Sequence, residues 1–60
     1  MTNIRHYEND EQYCSIEYIG RGQYEMTMKR KDSGRVCGFG ILMFDQVDHW
    51  LEANKFNRVD

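Results

Sequence analysis

Four side chains have the chemistry of metal ligands or nucleophiles: His6, Cys14, Cys37 and His49. Two imidazoles and two thiolates make a good zinc set. A structural zinc site, however, draws its ligands as close pairs such as C-x-x-C or H-x-x-x-H, and neither spacing occurs here. A Cys–His pair could also activate a thiolate, but nothing around either cysteine forms a nucleophile elbow or an oxyanion donor. The strand reading below sets Cys14 and Cys37 two strands apart, roughly 10 Å at ~4.8 Å per strand. That is beyond the ~7 Å reach of a disulfide. Both cysteines therefore read as free thiols buried as small hydrophobes. The expectation is a protein that is not an enzyme and carries no metal and no cofactor.

Glycines supply no phosphate cradle either. Gly38 and Gly40 alternate within an extended run, and no helix opens directly after a glycine-rich turn. A core built from 60 residues also leaves little room for ligand pockets of the usual ~300–1,000 Å³. Such a chain buries only about 60% of the surface its unfolded form exposes, so it gains from a partner.

Charge is unevenly spread. The net charge of −2 divides into −3 over residues 1–28, +3 over 29–35 and −2 over 36–60. The positive block is Lys29, Arg30, Lys31 and Arg35, a basic turn on an acidic molecule. That balance argues against a dedicated nucleic-acid coat. No run of ~18 apolar residues suggests a membrane span, and no basic-then-apolar leader opens the sequence. A cytoplasmic protein with no membrane partner is expected.

These side chains must be positioned by short strands and one helix. Residues 1–12 read as a polar arm in which Ile4 and Tyr7 could add a short edge strand. Residues 13–56 read as a β-β-β-α domain, and 57–60 as a tail. Tyr13–Ile19 and Gln23–Arg30 alternate and are rich in β-formers. Gly20-Arg21-Gly22 suits a three-residue hairpin loop, which pairs Ile19 with Gln23, Tyr18 with Tyr24, Ile16 with Met26 and Cys14 with Met28. Lys31-Asp32-Ser33-Gly34 forms the second turn, where Gly34 takes positive φ without steric cost.

A four-residue second loop sets Met28 against Cys37, Met26 against Phe39 and Tyr24 against Ile41. A three-residue loop instead sets Met26 against Gly40 and turns Phe39 and Ile41 to the other face. The four-residue loop is preferred because it gathers Cys37, Phe39 and Ile41 with Cys14, Ile16, Tyr18, Tyr24, Met26 and Met28. Asp45 then reads as the N-cap of a helix of about ten residues. Asp48 sits in its first turn, and Val47, Trp50 and Leu51 share one stripe. Asn54 reads as a left-handed stop, with Phe56 folding back.

The fold class is thus α+β, a three-stranded antiparallel meander with a C-terminal helix on one face. Its outer face carries Glu17 directly opposite Glu25, where like charges repel, beside a trough floored by Gly38 and Gly40. Ile19, Val36 and Leu42 flank it as apolar contacts. This surface, or an exposed strand edge, points to a small protein-interaction or regulatory module. The partner-binding residues are Glu17, Ile19, Glu25, Val36 and Leu42, and the partner is another protein or a second copy in a homodimer.

A second reading comes from the order strand–strand–basic turn–strand–helix over residues 13–54, with Gly34, Phe39 and Trp50 within it. That arrangement resembles the DNA-binding folds of integrase arm-binding and plant AP2-type domains. The resemblance implies nucleic-acid contact, for which this chain offers Lys29, Arg30, Lys31 and Arg35. It also implies that the open sheet face meets DNA, and there Glu17 and Glu25 would repel phosphates. Nucleic acid is therefore the second choice of partner.

Overall fold

Residues 4–59 are described by the computed structural model. The class is α+β, but the sheet has five strands rather than three: β1 (Ile4–Glu8), β2 (Gln12–Gly20), β3 (Gln23–Arg30), β4 (Val36–Met43) and β5 (Asn57–Arg58), with α1 (Val47–Ala53) between the last two. The strand order is β4-β3-β2-β1-β5, antiparallel at every pairing.

The two extra strands come from the segments read as arm and tail. Ile4–Glu8 pairs with Glu17–Tyr13, which places Tyr7 beside Cys14 and buries it. Only one residue of this strand is deeply buried, so its hydrophobic signature is faint and its polarity mimics an arm.

The first hairpin keeps its expected register from Cys14↔Met28 to Tyr18↔Tyr24. Nearer the turn, Gln23 pairs with Gly20 instead of Ile19, because Ile19 is an extra residue in a bulge. Arg21 and Gly22 then form a two-residue turn with φ of 55° and 71°, the signs a type I′ hairpin turn requires.

The second hairpin departs further. Its four-residue loop is as expected: Lys29 pairs with Val36 across Lys31–Gly34, and the Arg30 N–H donates to the Arg35 carbonyl at 2.9 Å. Directly after Val36 the register shifts, so that Met28 pairs with Gly38, Met26 with Gly40 and Tyr24 with Leu42. Cys37 is the additional residue. One inserted residue exchanges the two faces of the rest of a strand. Phe39 and Ile41 therefore lie on the outer face, while Gly38, Gly40 and Leu42 lie inside. Cys37, expected to be buried, is exposed.

The physical reason lies in the cover. A helix is only ~10–12 Å wide with its side chains, whereas five strands span roughly 19 Å. The buried core is Tyr7, Cys14, Ile16, Met26, Val47, Leu51 and Phe56, and β4 contributes none of it. Above β4 the inner space is filled from β3. Met28 Cε lies where a Gly38 Cβ would stand, and Met26 Cε is 3.7 Å from the corresponding point on Gly40. Glycines let the methionines lie flat, and Phe39, Ile41 and Met43 of β4 turn outward.

Helix α1 starts one residue later than its acidic cap predicts. The N-cap is Gln46 rather than Asp45, with no side-chain cap bond to the helix. The Gln46 amide oxygen instead accepts from the Met43 N–H at 3.3 Å, closing the strand–helix turn. Asp48 does occupy the first turn. At the other end Asn54 is the C-cap with φ −98°, and the left-handed residue is Lys55 at φ 59°. The Phe56 N–H reaches the Leu51 carbonyl at 2.9 Å and the Lys55 N–H reaches Glu52 at 3.1 Å, the paired bonds of a Schellman stop. Phe56 is buried and stacks on Trp50, with ring centroids 5.5 Å apart.

Candidate interaction surface

Cys14 and Cys37 come apart in the fold. Cys14 is 3% exposed in the core, and burial pushes its thiol from 9.0 up to about 11. Burial in apolar surroundings disfavours the thiolate, the reverse of an activated nucleophile. Among the described residues, no group of three or more His, Cys, Asp or Glu side chains is placed to hold a metal ion. No helix among them is long and apolar enough to cross a membrane.

The basic turn is partly neutralised from within. Arg30 makes a two-pronged contact with Asp32, at 3.1 and 2.9 Å. That hydrogen-bonded pairing raises the Arg30 pKa and lowers that of Asp32. Lys31 bridges to Glu8 at 3.2 Å and stands 5.2 Å from the centre of the Tyr13 ring. Two of the four cations are thus paired, Arg30 within the turn and Lys31 with β1. Lys29 lies on the outer sheet face between Tyr13 and Val36, and Arg35 is exposed at the loop.

The outer face shows the larger feature. Side-chain parity places Tyr13, Ser15 and Glu17 of β2, Gln23, Glu25, Thr27 and Lys29 of β3, and Val36, Phe39, Ile41 and Met43 of β4 on one side. The helix packs on the other. Glu17 does face Glu25, and both are partly buried. The neighbouring floor is not a glycine trough, however. Phe39 pairs with Thr27 and Ile41 with Glu25, so an apolar ridge stands there. Val36 is 59%, Phe39 65%, Ile41 50% and Met43 40% exposed.

Of the expected binding residues, Glu17, Glu25 and Val36 meet on this face. Ile19 is exposed in its bulge at the hairpin end. Leu42 is a correction: it is turned inward and packs against the core, for the same one-residue reason that exposes Ile41. Phe39 and Ile41, which an unbulged β4 would place on the inner face, stand with Met43 on the outer one. The signal that could have found them is the pair Gly38 and Gly40, whose missing side chains suit the filled inner face better than an open one. No protein-family model, curated protein or solved structure matches this chain.

Proposed function

We propose that the chain is a small non-enzymatic protein-interaction module of regulatory type, which binds through the outer face of its sheet along β4. One observation carries this reading. Val36, Phe39, Ile41 and Met43 form an uncovered apolar ridge on an edge strand, bordered by Glu17 and Glu25. Contiguous exposed apolar patches with a polar border are the ordinary mark of a binding surface. The arrangement supplies a row of anchoring side chains along an open sheet edge, which suits a macromolecular partner.

Affinity capture with the wild-type chain and with Phe39→Ser tests it. Phe39 contributes no buried core surface, so the variant keeps its far-ultraviolet circular dichroism and its unfolding midpoint. Loss of the captured partner by tenfold or more is expected, because a central aromatic anchor commonly contributes ~2 kcal/mol or more at an interface. Equal capture by both baits, repeated with Val36→Ser, would remove this surface from the function.

A further inference from the structure

We infer that the partner of the β4 edge is a second copy of this chain, paired strand to strand as an antiparallel, two-fold symmetric β4–β4 ribbon; this rests on the interaction-module reading. Three features converge on it. The first is the backbone. The Phe44 N–H donates to the Gly22 carbonyl at 2.7 Å, in the same register as Gln23↔Met43 and Tyr24↔Leu42. Antiparallel ladders alternate between residues bonded inward and residues turned outward. Leu42, Gly40 and Gly38 therefore face β3, while Ile41 and Phe39 present their N–H and C=O groups to the open edge; both groups of Met43 are engaged by Gln46.

The second feature is that the two sheet edges differ. Exposed edges are normally guarded by charge, proline or brevity. The far edge has these guards: β5 is two residues long, and β1 and β5 carry Arg5, His6, Glu8 and Arg58. From Val36 to Met43, β4 carries neither charge nor proline, and its one guard, the bulge at Cys37, lies before the Phe39–Ile41 segment. With one pairing edge per molecule, self-association closes as an isologous dimer instead of growing into a filament.

Charge and area choose the copy and the geometry. Centring the two-fold on Gly40 sets Phe39 of each copy against Ile41 of the other, with no ionic conflict. Glu25 is then about three strand spacings, roughly 14 Å, from its mate, beyond the ~8 Å screening length. Stacking the outer faces would instead press the Glu17–Glu25 pairs together. The exposed fractions of Val36, Phe39, Ile41 and Met43 amount to on the order of 400 Å² per copy, at ~150–250 Å² for a large side chain. Edge pairing buries only the flanks of these side chains and the paired backbones, so the interface stays below the ~1,000 Å² of the smaller specific interfaces, which fits a weak, concentration-dependent dimer.

Sedimentation from about 10 μM to about 1 mM, where small interfaces dissociate, with residue-resolved amide exchange, tests the inference. The expected result is a mass that climbs toward twice 7.2 kDa as concentration rises. The Phe39 and Ile41 amides gain protection at least tenfold in parallel, while the Met43 amide, held by Gln46 in the monomer, does not change. Ile41→Lys, at an exposed site, abolishes both effects without changing the circular dichroism, while Glu52→Gln, exposed on α1 on the opposite side of the sheet, leaves the dimer intact. A dimer whose β4 amides stay unprotected overturns strand pairing but leaves the outer face as the interface. A monomer throughout overturns self-pairing altogether, and the module reading then stands or falls with the Phe39→Ser capture.

Discussion

Single residues carry sharply different weight in this fold. Ile16 has no exposed surface at all and lies at the centre of the core. Truncation to alanine is expected to cost ~2–5 kcal/mol, against a total of roughly 3–9 kcal/mol for a chain of this length at ~0.05–0.15 kcal/mol per residue. Ile16→Ala should therefore be largely unfolded at 37 °C by circular dichroism, and a melting point within a few degrees of wild type would refute that core. Cys14 gives a pH signature. Its thiol ionises near 9.0 when the chain unfolds but near 11 in the fold. Between those values the unfolded state has released a proton that the native state retains, so stability is full below pH 9, falls as pH rises and levels off above 11. The loss is on the order of 3 kcal/mol at ~1.4 kcal/mol per pH unit, read as the alkaline difference in urea midpoint between wild type and Cys14→Ala. In the native state Cys37 should react quickly with a thiol reagent and Cys14 only on unfolding; equal rates would contradict their separation.

At the scale of elements, the turns hold the strain and the helix stop holds the core shut. Arg21 and Lys55 are the non-glycine residues with positive φ among those described. The left-handed region costs a long side chain ~1–2 kcal/mol. Lys55→Gly should recover roughly 1 kcal/mol, seen as a higher denaturation midpoint; a lower midpoint would mean the Lys55 side chain contributes more than its strain costs. Phe56→Ala, by contrast, opens the staple on Leu51 and Trp50 and is expected to cost ~3–5 kcal/mol. Because Trp50 is the single tryptophan and stacks on Phe56, a shift in its fluorescence at low temperature reports the loss locally. A second tie binds this end. The Asn9 side chain caps its own turn at Glu11 and Gln12 and donates to the Asn54 carbonyl at 2.9 Å, joining the β1–β2 turn to the helix stop.

On the scale of the whole molecule, a seven-residue helix serves a five-stranded sheet and leaves one face uncovered. That mismatch produces the ridge on β4, and the functional proposal belongs to it. Alternation, turn glycines and the Val47–Trp50–Leu51 stripe were enough to predict the α+β class, the Cys14–Tyr18 register and the face the helix buries. These rest on local periodicity, which side-chain parity and helical pitch convert directly into geometry. The burial of Tyr7, the pairing of β1 and β5, and the bulge at Cys37 depend on contacts between distant segments. Tyr7 is one apolar contact in a polar strand, and its place is set by β2 and the core. The bulge exchanges which β4 residues face the core, and its advantage exists only once Met26 and Met28 have lain across Gly38 and Gly40. By itself, then, the sequence determined where strands and helix form. Tertiary packing alone decided which face of β4 meets the core, because one extra residue alters no local periodicity yet reverses every side chain beyond it.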